Sequence, residues 1–139
     1  MQQLKALAIG DPRIAFLPAV SGDRIISLLQ DYHLLAVPSR WLETGPLVVL
    51  EAFAAGIPVI GSNLGGIAEL VEHEVNGLLV EPDSQEAWVQ GLQKLCEDRN
   101  MLIRLRAGIR QPRSMSVVAE EMLVRYRTLL HEKATKAGS

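Results

Sequence analysis

Apolar positions in this chain follow two rhythms. Short unbroken runs occur at residues 14–17 (Ile-Ala-Phe-Leu), 34–37 (Leu-Leu-Ala-Val), 59–60 (Val-Ile) and 78–80 (Leu-Leu-Val), and each predicts a strand. The run at 34–37 does not alternate with polar residues, which suits a parallel strand covered on both faces. Between the runs the spacing turns helical. Ile25, Ile26, Leu28 and Leu29 predict a helix over 24–32. Pro46 opens a second helix and Gly56 stops it, the usual asymmetry of helix ends. Shorter signals predict a helix over 67–72 and another over 84–96, with Asp83 and Glu86 as its capping box. Two more helices are predicted near 100–109 and 117–131. Leu4, Leu7 and Ala8 read as the last turns of a helix ended by Gly10, Asn76-Gly77 reads as a turn, and 133–139 as a frayed tail. Strand and helix alternate through residue 96, so the expected class is α/β, with a parallel sheet and helices on both faces.

Composition narrows the function. The 139 residues fit one domain, and 48% hydrophobic with 22% charged residues is the profile of a folded chain. The net charge of −2 excludes a strongly basic nucleic-acid binder. Aromatics at 4% leave no base-stacking platform. The single cysteine, Cys96, makes no internal disulfide. No run of about 18 apolar residues is present, so no transmembrane segment is expected, and the first residues lack the apolar centre of a signal peptide. The expected location is the cytoplasm.

One stretch carries chemistry. From Pro38 to Ile60 the chain passes from strand to loop, helix and strand. In open α/β sheets ligands bind beyond the carboxyl ends of strands. A loop over 39–45 at such an end feeds a helix start, whose free N–H groups and dipole favour an anion. Gly45 lets a ligand approach the backbone. Glu51 is the only charge between Pro46 and Ile60. On residues alone it either pairs with a cation such as Arg40, caps a loop, or meets a ligand. Glu43, eight positions earlier, is either a solvated loop charge or a second ligand contact. Carboxylates repel phosphate, so as ligand contacts the two would meet hydroxyls, a sugar on one side of a diphosphate and a ribose on the other. The loop over 61–66, with Gly65 and Gly66, reads either as a cradle of N–H groups for phosphate or sugar or as a plain strand-to-helix turn.

The stretch resembles the signature of family-4 (group 1) glycosyltransferases of the GT-B architecture, a Glu, seven residues and a second Glu, met here by Glu43 and Glu51. Pro38-Ser39, Glu51-Ala52, the run from Gly56 to Ile60, Gly65-Gly66 with Glu69, and the run from Asn76 to Val80 follow in the family's order. The resemblance covers about residues 34–96 and extends more loosely to Tyr126 and Leu129-Leu130. It implies a partial Rossmann-like parallel sheet, the C-terminal donor-binding part of a GT-B enzyme, with one incomplete domain over 1–132 and a disordered tail over 133–139. It implies that Glu43, as the catalytic carboxylate, contacts hydroxyls of the donor sugar and that Glu51 holds the ribose. Ser39, Gly45, Pro46 and Leu47 would line the sugar and diphosphate, with N–H donors from Gly45 and Leu47 because Pro46 has none. The reaction implied is retaining transfer of a hexosyl group from a nucleotide diphosphate sugar, with no cofactor and no metal. The absence of an Asp-any-Asp motif or a His/Cys cluster agrees with that.

Other family features have no counterpart here. The N-terminal acceptor domain with its catalytic histidine, and the Arg and Lys that neutralise the diphosphate, find no match. His33, His73 and His131 lie outside the matched loop and are assigned no catalytic role. Without the first two strands of the family's sheet, strand edges should lie open, so residues 14–17 are either displaced or the chain dimerises by edge pairing. The isolated chain should therefore lack activity and require a separate N-terminal acceptor domain. A non-catalytic or split-subunit interaction protein with a remnant nucleotide-sugar site is the alternative. A GT-B-shaped nucleotide-sugar epimerase fits the Glu–seven–Glu pair less well.

Overall fold

A computed structural model describes residues 2–137. In chain order the elements are α1 (Gln2–Leu7), α2 (Gly22–Leu29), β1 (Leu35–Val37), α3 (Leu47–Ala54), β2 (Val59–Ser62), α4 (Gly65–Leu70), β3 (Gly77–Val80), α5 (Gln85–Glu97), α6 (Arg99–Ala107) and α7 (Met115–Ala137). The three strands form one parallel sheet in the order β1-β2-β3. Leu35 pairs with Val59, and Val59 with Gly77.

Alternation along β2 explains the two cores. Successive strand side chains point to opposite faces. Val59 joins Val37, Val49, Ala52, Phe53, Ile57, Ile67 and Val71 on the face covered by α3 and α4. Ile60 joins Leu78, Val80, Leu95, Met101 and Leu105 on the face covered by α5 and α6. Every residue of β2 is buried, whereas β1, expected to be covered on both faces, leaves Ala36 exposed because it lies at the open edge. The expected α/β class with helices on both faces is thus observed.

Four expectations are corrected. Residues 14–17 form no strand: Ile14, Phe16 and Leu17 are 50%, 43% and 58% exposed, and no ladder receives them. An apolar run becomes a strand only where it pairs with another; the outer edge of β1 is free, yet residues 14–17 form no ladder with it. Helix α5 is capped by Ser84, whose hydroxyl accepts the Ala87 N–H at 3.1 Å, and not by Asp83. Asp83 is turned away to Arg40. Helix α4 begins at Gly65, two residues before the predicted start. Helix α7 continues through Ala137, into the segment expected to fray; Gly138 and Ser139 lie outside the described residues.

The two edges of the sheet differ. At β3 the Leu79 N–H donates to His73 Nδ1 at 3.0 Å, and the Gly77 carbonyl accepts the Glu74 N–H at 2.8 Å. At β1 no further strand is present among the described residues. No helix among the described residues is long and apolar enough to cross a membrane.

Two surface carboxylates tie α5 and α6 to their surroundings. Asp98 caps α6, accepting the Met101 N–H at 3.1 Å and pairing with Arg104 at 2.9 Å, while Glu74 pairs with Lys94. Arg104 above all holds the Asp98 carboxyl below the ordinary aspartate range, and Lys94 does the same for Glu74. A carboxyl depressed in the folded state adds stability above its unfolded pKa and loses it as pH falls through the folded one. The melting temperature is therefore expected to fall as the pH drops below about 4.5. In Asp98→Asn the same acid titration, followed by circular dichroism, is expected to be shallower.

Candidate functional site

The loop over 38–46 leaves the carboxyl end of β1 and enters α3. Pro46 occupies the position before the first helical residue and is buried, with φ −69° and ψ 102°. Its carbonyl accepts the Val49 N–H at 3.1 Å, and no side chain caps the helix. The first N–H groups of α3, at Leu47 and Val48, therefore face outward without a side-chain acceptor. Leu47 itself is 70% exposed. The mainly apolar sequence of α3 buries Val49, Ala52 and Phe53 and leaves Glu51 half-buried at the margin.

Glu43 and Glu51 share one property. Among the described residues neither carboxylate makes a hydrogen bond or an ion pair. The cation that sequence offered to Glu51 is engaged elsewhere: Arg40 Nε meets Asp83 Oδ1 at 2.6 Å. Both partners of that pair are exposed, so it adds little stability. It does bridge the β1–α3 loop to the start of α5. Glu43 is half-buried, and its carbonyl accepts the Gly66 N–H at 2.7 Å.

Ser39 shapes the loop. Its hydroxyl lies 3.4 Å from the Trp41 N–H and 3.5 Å from the Trp41 carbonyl. Trp41 and Leu42, which sequence reasoning passed over, stand exposed beside Glu43. The loop over 61–66 uses several of its N–H groups internally. The Asn63 N–H goes to the Val80 carbonyl at 2.7 Å, the Leu64 N–H to Ser62 at 2.8 Å, and the Gly66 N–H to Glu43. Three of its donors are spent inside the protein and leave little for an anion.

The larger grooves lie elsewhere. One of about 730 Å³ runs between Phe53, Glu69, Arg110 and Arg113, and another of about 580 Å³ between Leu34, Leu92, Cys96 and Ile103. Neither includes Glu43 or Glu51. The two acids thus lie outside these grooves. Among the described residues no group of three or more His, Cys, Asp or Glu side chains is placed to hold a metal ion.

Residues 2–111 match the family described as glycosyl transferases group 1. The chain belongs to that family. A D-inositol 3-phosphate glycosyltransferase of Salinispora tropica is 35% identical over 140 aligned positions, covering 94% of this chain and 29% of the relative. Among solved structures, a sucrose-phosphate synthase of Thermosynechococcus elongatus superposes with a TM-score of 0.79 at 27% identity, covering 94% of this chain and 34% of that one. The Anabaena HepE protein in complex with UDP-glucose superposes at 0.68 with 30% identity, covering 78% of this chain and 29% of that one. This group 1 chain therefore has the fold of a C-terminal GT-B part, and it spans less than a third of the curated relative.

Proposed function

We propose that this group 1 chain is the donor-binding part of a retaining hexosyltransferase and binds a nucleotide diphosphate sugar at the start of α3. Glu51 takes the ribose hydroxyls. The N–H groups of Gly45 and Leu47 meet the diphosphate at the positive end of the helix. Glu43 accepts from hydroxyls of the sugar beside the reacting carbon. The observation that carries this reading is a pair of carboxylates, before and within the first turns of an uncapped helix, that have no hydrogen-bond or ion-pair partner among the described residues. A half-buried acid left unpaired loses part of its hydration and gains nothing in return, unless a ligand donates to it. That the HepE neighbour was solved with UDP-glucose supports the ligand class.

In the transfer itself the helix start would stabilise charge growing on the departing diphosphate. The acceptor and any proton relay would come from a separate domain, and the isolated chain is inactive. Calorimetric titration with UDP, GDP and ADP tests the reading. Saturable heat with one of them is expected, and no heat with any rejects it.

A second reading is a subunit that works through association with other copies or a partner. The open β1 edge and the exposed apolar residues 14–17 favour it. Light scattering on this reading shows a mass that rises with concentration; a monomer at every concentration rejects it.

A further inference from the structure

The loop that carries Glu43 has no strand or helix of its own to hold it. What it packs against is the glycine pair at the head of α4. A Cβ placed on Gly66 would lie 2.6 Å from the Glu43 carbonyl oxygen, 2.9 Å from Pro46 Cδ and 3.1 Å from the Gly45 nitrogen. One placed on Gly65 would lie 3.1 Å from the Glu43 carbonyl oxygen and 3.3 Å from the Glu43 nitrogen. Gly65 also sits at φ +51°, where other residues are strained. Both absent side chains would fall on the backbone of the same loop.

We infer that Gly66, seconded by Gly65, is a positioning residue of this site: it lets the Glu43–Pro46 backbone seat against α4 and locks it with one hydrogen bond. The inference rests on the donor reading above and adds a residue with no ligand contact to it. The physical logic is simple. The Gly66 N–H fixes the height of the Glu43 carbonyl, and the missing Cβ sets how closely Gly45 and Pro46 approach. Alanine at 66 must push the loop outward, because three of its backbone or ring atoms occupy the methyl's place. Glu51 stands on α3 and is anchored by Val49, Ala52 and Phe53, so the push reaches Glu43 first. Sugar recognition should then suffer while the nucleoside end is spared.

The test uses the 139-residue chain as parent, Gly66→Ala, Glu43→Gln and the double variant. Each is titrated with UDP and with UDP-glucose, alongside amide hydrogen exchange. For Gly66→Ala we expect UDP affinity to fall by only about threefold, through the displaced Gly45 N–H, and a loss of roughly tenfold in the extra affinity that glucose contributes. Glu43→Gln should show the same loss, and the double variant no further one, because both act through one carboxylate. Exchange over 42–46 should accelerate in Gly66→Ala while β2 and β3 stay protected. Unchanged loop exchange, or additive losses in the double variant, would overturn the positioning role and leave the donor reading standing. A parent chain that binds none of UDP, GDP, ADP and UDP-glucose would reject the donor reading and the inference together, even with a loosened loop; a parent that prefers GDP or ADP is compared with that diphosphate and its glucose ester instead. General loss of protection in β2 and β3 would show a structural role only, and would also overturn it.

Discussion

Gly77→Ala is expected to melt about 10 °C or more below the parent chain. Gly77 opens β3 and pairs with Val59 in the middle strand. A methyl group there would lie 2.2 Å from the Val59 carbonyl oxygen and 2.8 Å from Val71 Cγ1. The first obstacle is backbone of a buried strand, so no rotamer change relieves it. The second is a buried valine that closes the α3–α4 face of the core. Relief requires β3 to separate from β2, which costs ladder hydrogen bonds as well as packing. Such overpacking costs about 3 kcal/mol, a large part of the roughly 5–15 kcal/mol that stabilises a domain. Thermal denaturation followed by circular dichroism measures it, and a midpoint within about 2 °C of the parent would show that the junction accommodates the methyl.

Glu51→Ala is expected to do the reverse, sparing the fold and emptying the site. Glu51 is half-buried and has no partner among the described residues, so its removal breaks no internal contact and should shift the melting temperature little. Binding of the nucleoside diphosphate that the parent prefers should fall roughly 10- to 150-fold, the worth of hydrogen bonds to a charged acceptor. Glu51→Gln keeps one acceptor oxygen and should fall between the two. A variant that titrates like the parent while melting at the same temperature would remove Glu51 from the site.

Much of the architecture was written in local pattern. The runs at 34–37, 59–60 and 78–80 became β1, β2 and β3 because each is apolar on both faces and has a partner in register. The run at 14–17 is equally apolar and forms no strand, although the β1 edge is open, because local pattern does not say which segment pairs with which. Capping shows the same limit at shorter range. Asp83 and Ser84 are adjacent acceptors; Ser84 caps α5, while Asp83 pairs with Arg40, more than forty positions away. Asn76 read as half of a turn, yet it is buried, and its Oδ1 accepts the Glu72 N–H at 2.8 Å. Its neighbour Gly77 is needed for close packing as much as for turning.

The candidate site divides along the same line. The spacing of Glu43 and Glu51, and the helix start between them, were legible in the residues. That neither acid has a partner among the described residues was not, and for Glu51 it turns on Arg40 pairing with Asp83 instead. The seat that Gly65 and Gly66 provide for the loop was invisible too, because it joins segments more than twenty residues apart.

The asymmetry of the sheet gives the molecule a direction of growth. His73 stoppers the β3 border, so a newcomer strand can add only along β1. That border runs straight into the stretch bearing Glu43. A strand added along β1 would therefore lie beside the loop that carries Glu43.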